Sequence, residues 1–135
     1  MTIDPLNAIP HYDLATTFFA RRPRHEPGPE RSRTIYLIDG VEPPEWQESQ
    51  LLDVSRAGIK LGATHDLAKG RSLHVVVQAA DGKRLLERTC LVRWCKKEGD
   101  ATYPWHLGVE FPEPLEWEIL GELFLHGVLN TGHAS

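Results

Sequence analysis

Cysteine is scarce. The 135 residues hold two, Cys90 and Cys95, with neither zinc-type pairing nor enough partners for a disulfide framework. They lie five apart in one expected strand, so their side chains should face opposite ways and stay unbridged, as half-buried residues of a reducing compartment. Long apolar runs are missing too: the most apolar stretch, Leu73 to Ala80, is broken by His74 and Gln78 and is far too short to span a bilayer. Met1 to Pro5 shows no charged segment leading into an apolar one, so no secretory signal is expected and the chain reads as soluble and cytoplasmic. Basic residues are outnumbered, 15 against 19 acidic ones, for a net charge of -4. That argues against bulk attraction to DNA, RNA or a membrane surface but leaves room for a local basic site.

Catalytic signatures are also lacking. There is no Gly-x-Ser-x-Gly elbow, no Gly-rich phosphate loop ending in Lys-Ser/Thr, and no His-Glu-x-x-His. The seven histidines are scattered without i, i+2 or i, i+4 pairs. Neither an enzyme nor a metal centre is expected, and no cofactor is called for.

What remains is ordinary globular material, 41% apolar and 25% charged, enough for one domain. Residues 1–33 read as an arm. Its segment from Arg21 to Arg33 carries five arginines (Arg21, Arg22, Arg24, Arg31, Arg33) against two glutamates, so a small cationic patch sits on an acidic body. Pro23, Pro27, Pro29 and Gly28 keep that segment out of helix interiors and central strands. Tyr12 to Ala20 suits a short helix or strand, with Phe18 and Phe19 needing burial.

Residues 34–130 read as the folded unit. Strands are expected at Thr34–Ile38, Gln50–Val54, Gly58–Leu61, Ser72–Ala79, Arg84–Trp94 and Trp105–Phe111, with Asp81-Gly82 a hairpin turn. In the fifth, Cys90, Val92 and Trp94 should face one way and Leu91, Arg93 and Cys95 the other. Leu115 to Val128 has helical spacing at Leu120, Leu123, Phe124 and Val128, with Pro114 at its start and Asn130 and Gly132 closing it. Trp94, Phe111, Trp117 and Phe124 read as core; Trp46 and Trp105 read as contact residues. Six short strands plus one terminal helix predict a mainly β fold, a small six-stranded antiparallel barrel, with the helix over one opening.

One short constellation stands out between the second and third strands: Asp53-Val54-Ser55-Arg56-Ala57-Gly58, an Asp-x-Ser-x-x-Gly pattern. Asp and Ser cap turns and Gly supplies unusual backbone angles, so the pattern already makes sense as a corner. Together with the arginine cluster ahead of it, Val92-x-Trp94 and Gly108-Val109-x-Phe111 after it, it resembles the PilZ family of cyclic di-GMP receptor domains, over about Arg21 to Phe111 plus the helix. That resemblance implies a site for cyclic di-GMP made by Arg21, Arg22, Arg24, Asp53, Ser55 and Gly58, and a protein effector downstream. The family's Arg-x-x-x-Arg motif is altered here. Arg21 fills its first position and His25 its second, with Arg24 one residue early; Arg84 and Arg88 have the spacing but fall inside a strand. Guanidinium groups suit this ligand because they fork onto phosphate oxygens or the guanine O6/N7 edge and stack on base faces. Asp53 would accept from a guanine N–H, Ser55 would bond base or phosphate, and Gly58 would let backbone approach. A loose arm that ordered over the ligand would be the switch. The alternative implied by the missing arginine is a nucleotide-independent interaction module for motility or type IV pilus machinery.

Overall fold

A computed structural model describes residues 24–28 and 31–130. The element expected over Tyr12–Ala20, and Arg21, Arg22, Pro29 and Gly132, lie outside the described residues. Six strands follow one another: β1 (Ser32–Ile38), β2 (Gln47–Val54), β3 (Gly58–Ala63), β4 (Ser72–Ala79), β5 (Arg84–Lys96) and β6 (Trp105–Glu110), then helix α1 (Trp117–Leu125). They pair antiparallel in the closed order β1-β2-β3-β6-β5-β4, so the expected barrel is the observed one. Closure by β1 on β4, from Ser32 opposite Ala79 to Ile38 opposite Leu73, removes both exposed edges. Among the described residues no helix is long and apolar enough to cross a membrane.

Tyr36, Leu61, Leu73, Val75, Leu86 and Leu107 fill the interior. Leu115, Leu120, Leu123, Val128 and Leu129 join the same cluster, so α1 closes over barrel side chains rather than forming its own core. Asp81-Gly82 turns as expected: Gly82 adopts φ 92° and the Ala79 N–H donates to the Lys83 carbonyl.

The helix is shorter than its spacing predicts. Leu115 stays outside it because its N–H donates to the Arg56 carbonyl (2.8 Å) while its own carbonyl accepts the Arg56 Nε–H (2.7 Å). The C-terminal end falls at Gly127, not at Asn130 and Gly132. Gly127 (φ 70°) donates to Phe124 and Val128 to Leu123, a Schellman closure that needs a left-handed residue at that point.

Three register shifts break the simple alternation: Val77 opposes Leu86 but Gln78 opposes Arg84, which leaves Leu85 extra in β5, and two β-bulges lie nearer the corner. Leu51 opposes Leu61 but Asp53 opposes Lys60, so Leu52 is the extra residue of β2. Val92 opposes Val109 but Trp94 opposes Gly108, so Arg93 is the extra residue of β5. Each bulge flips everything beyond it. Val54 points into the core and Asp53 away from it; Trp94 leaves the core it was expected to join, and Cys95 packs against that core beside Tyr36. Cys90 and Cys95 therefore do not face opposite ways, and both are free. Phe111 is buried as expected and Phe124 packs against the core, but Trp117 is 66% exposed. Trp46 is exposed, whereas Trp105 packs against the core.

Truncating Leu107 to Ala should lower unfolding stability by about 2–5 kcal/mol, read from the urea midpoint, because a fully buried barrel side chain leaves a cavity. Burial pushes the Cys90 thiol up to about 12, so at pH 8 it stays protonated. Cys90 should resist a thiol-specific reagent in the native protein and react only at the rate of unfolding.

Candidate functional site

The site grows from the end of β2. Beyond the Leu52 bulge, Val54 turns its side chain inward and offers its backbone to the arm: His25 N–H donates to Val54 O (2.8 Å) and Val54 N–H to His25 O (3.0 Å). This exchange stations Arg24 above Asp53, with Nη1 2.6 Å from Oδ1. The arm and the Asp-Ser-Gly corner do meet. Arg24 is 51% exposed and Asp53 17%, so the pair adds little stability, under about 1 kcal/mol. Its value is positional: a guanidinium and a carboxylate are presented together on the outer wall.

Ser55 and Gly58 have structural work at the same corner. Ser55 is buried; its Oγ accepts the N–H groups of Ala57 (3.1 Å) and Gly58 (3.3 Å), and its own N–H donates to Gly58 O (2.9 Å). A Cβ on Gly58 would lie 2.2 Å from the Val109 carbonyl oxygen of β6. The glycine is thus required by strand approach, and the serine by the turn. Arg56, between them, donates to Leu115 and lays its guanidinium 4.1 Å from the Trp117 ring centre.

Arg24, Ala57, Gly58, Arg93, Trp94, Gly108, Val109 and Glu110 line a shallow groove of 130 Å³ beside the corner. Trp94, turned outward by the Arg93 bulge, lies flat on Gly108, where a Cβ would stand 2.2 Å from the indole Nε1. Lys60 and Lys96 approach the same ring at 5.9 and 5.4 Å, and Arg93 pairs with Glu110 at 3.2 Å. Guanidinium, carboxylate and an open aromatic face are the elements that recognise a flat base and the phosphate attached to it. Trp94 and Arg93 were missed by the sequence reading; the signal was Gly108, a side-chain-free residue in the facing strand. Three larger hollows lie elsewhere: 460 Å³ at Pro112–Glu116 and 430 Å³ at Ala79–Asp81 against Phe124–Gly127, neither with two guanidinium groups, and 230 Å³ where Arg31 and Arg33 face Gln78–Gly82.

Other arginines are engaged elsewhere. Arg33 Nε donates to Glu48 (2.9 Å) and holds that carboxyl below its ordinary range. With Arg31 it lines a separate hollow against Gln78–Gly82. Arg84 pairs with Glu87 and Arg88 with Glu116. His25, the second position of the altered arginine motif, turns its ring onto Phe124, edge to face at 4.9 Å. Arg24, one residue earlier, is the residue that reaches Asp53. Among the described residues no cluster of three or more His, Cys, Asp or Glu is placed to hold a metal.

The PilZ domain family profile matches residues 21–124, from the arginine cluster to the end of the helix, and a search of curated proteins found no match. A profile spanning the arm, the corner, the closed barrel and α1 settles the assignment: this chain belongs to the PilZ domain family, in general a family of receptors for cyclic di-GMP rather than of enzymes.

Proposed function

We propose that this chain is a cyclic di-GMP receptor whose site is the corner where the arm crosses Asp53. The supporting observation is the Arg24–Asp53 contact on the outer wall, next to the Trp94 groove. Arg24, with Arg21 and Arg22 just upstream, supplies positive charge for the two phosphates. Asp53 accepts from a guanine N–H edge once Arg24 swings from it to the ligand. Trp94 offers a face for a base. Ser55 and Gly58 act as positioning residues: the first fixes the turn, the second lets β3 meet β6. The chain passes occupancy to a protein partner through the arm, in the cytoplasm and without catalysis. Residues 24–28 are already paired: besides the Val54 exchange, Gly28 N–H donates to Val128 O (2.7 Å) and Asn130 N–H to Glu26 O (2.8 Å). The loose-arm picture therefore needs narrowing. Ligand-induced ordering would not act on this clamped stretch.

Calorimetric titration with cyclic di-GMP should give saturable heat; none at high micromolar ligand would overturn the proposal and leave the nucleotide-independent module. Arg24→Ala and Asp53→Ala should each weaken binding at least about tenfold, the loss expected for one charged hydrogen bond. The double variant should lose less than the product of the two, because the side chains touch. Gly58→Ala is expected to unfold the domain, seen as lost β-sheet circular dichroism at 25 °C. The added methyl meets a strand backbone that has no room to yield.

A further inference from the structure

The outer face of α1 carries the two most exposed large apolar side chains among the described residues, Trp117 at 66% and Leu125 at 80%. Midway between them stands Gly121. The three lie on one stripe, within about 80° of each other at 3.6 residues per turn. Nothing among the described residues requires Gly121: a Cβ there would meet nothing within 4 Å, and its φ is not left-handed. Glycine is among the poorest helix formers, so an unforced glycine mid-helix costs stability for no internal gain. A small residue flanked one turn away on each side by exposed apolar groups is what another helix needs in order to pack closely. Trp117 is pre-set for this, since Arg56 already lies over its ring at 4.1 Å and limits its freedom before anything binds.

Charge selects the occupant. From Glu110 to Leu125 the chain has five glutamates and no lysine or arginine; Glu110 pairs with Arg93 and Glu116 with Arg88, so the acidic groups beside the stripe are Glu118 and Glu122. Glu118 and Glu122 run along one flank of the stripe; Glu122 meets Lys83 only at 4.0 Å and His126 at 3.4 Å. A second copy fits badly. Antiparallel pairing sets Glu118 and Glu122 against themselves, and parallel pairing aligns two helix dipoles. We infer that α1 is the docking surface for an amphipathic helix of a partner protein, with a small or apolar face over Gly121 and lysines or arginines along the glutamate flank. This inference stands apart from nucleotide binding.

Fluorescence anisotropy of a labelled synthetic amphipathic helix, leucine on one face and lysine on the other, tests it on the full chain without nucleotide. A leucine–glutamate peptide is the control. The lysine peptide should bind in the micromolar range and the glutamate peptide should not. Gly121→Gln, which leaves every charge in place, should cut affinity at least about tenfold while leaving Tm unchanged or raising it by about 3–6 °C. Leu125→Ser should weaken binding similarly. Equal binding of both peptides, or full affinity in Gly121→Gln, overturns the inference. So does a concentration-dependent dimer in sedimentation equilibrium that Gly121→Gln abolishes, which would make a second copy the occupant.

Discussion

Everything in this molecule converges on one tight approach: β3 begins where the Val109 carbonyl of β6 leaves no space for a Cβ on Gly58. That constraint forces the chain to turn between Val54 and Gly58, and the turn's polar groups then serve three neighbours. Ser55 Oγ satisfies the N–H groups inside it. Ala57 O accepts the Phe111 N–H from the end of β6 (2.9 Å), and Arg56 O accepts the Leu115 N–H ahead of the helix (2.8 Å). Val54 meanwhile pairs with the arm. Barrel, helix and arm are tied at one corner, so a residue there serves several elements at once.

The Asp-x-Ser-x-x-Gly pattern divides accordingly. Its serine and glycine shape the corner, while its aspartate holds Arg24, a residue of the groove wall. A binding measurement on a serine or glycine variant mixes ligand contact with folding; Asp53 and Arg24 are partly exposed and keep the two separable. The altered arginine motif divides in the same way. His25 pairs its backbone with Val54 and its ring with Phe124, and so fastens the arm between corner and helix. Arg24 is left as the cation. Exchange of an arginine for histidine at that point trades a charge for an anchor.

Much of the fold was legible because it rests on local patterns. Short β-rich segments between turn residues located all six strands, Asp-Gly located the hairpin, and the Leu120–Leu123 spacing located the helix. The bulges were not legible. Leu52 and Arg93 are ordinary strand residues, and only the facing strand reveals that two residues share one partner. Since each bulge reverses the faces beyond it, the outward turn of Trp94 and the inward turn of Cys95 were hidden together. The helix start was missed for a related reason. Leu115 fits the apolar stripe, but its backbone groups are taken by Arg56, a partner 59 residues away. Asp53 and Arg24 stand out in the sequence because charge and motif mark them; which arginine reaches the aspartate depends on the His25 pairing, a tertiary event.

Communication between the corner and the helix has a physical route in these same contacts. Arg56 touches both the Leu115 carbonyl and the Trp117 ring, and it sits between Ser55 and Gly58. His25 touches both Val54 and Phe124. On the proposed reading, a ligand that pulls Arg24 from Asp53 would act at the residue next to His25, whose ring contact with Phe124 joins the arm to the helix. Linkage makes the effect reciprocal: a partner helix seated on Trp117 and Leu125 that favours one placement of Arg56 changes the affinity of the corner by the same factor. The coupling is bounded by the contacts that differ between the two placements, one ring contact and one cation–π contact. Each is worth about 0.5–2 kcal/mol, so on the proposed reading the two sites would modulate one another without either switching the other fully on or off.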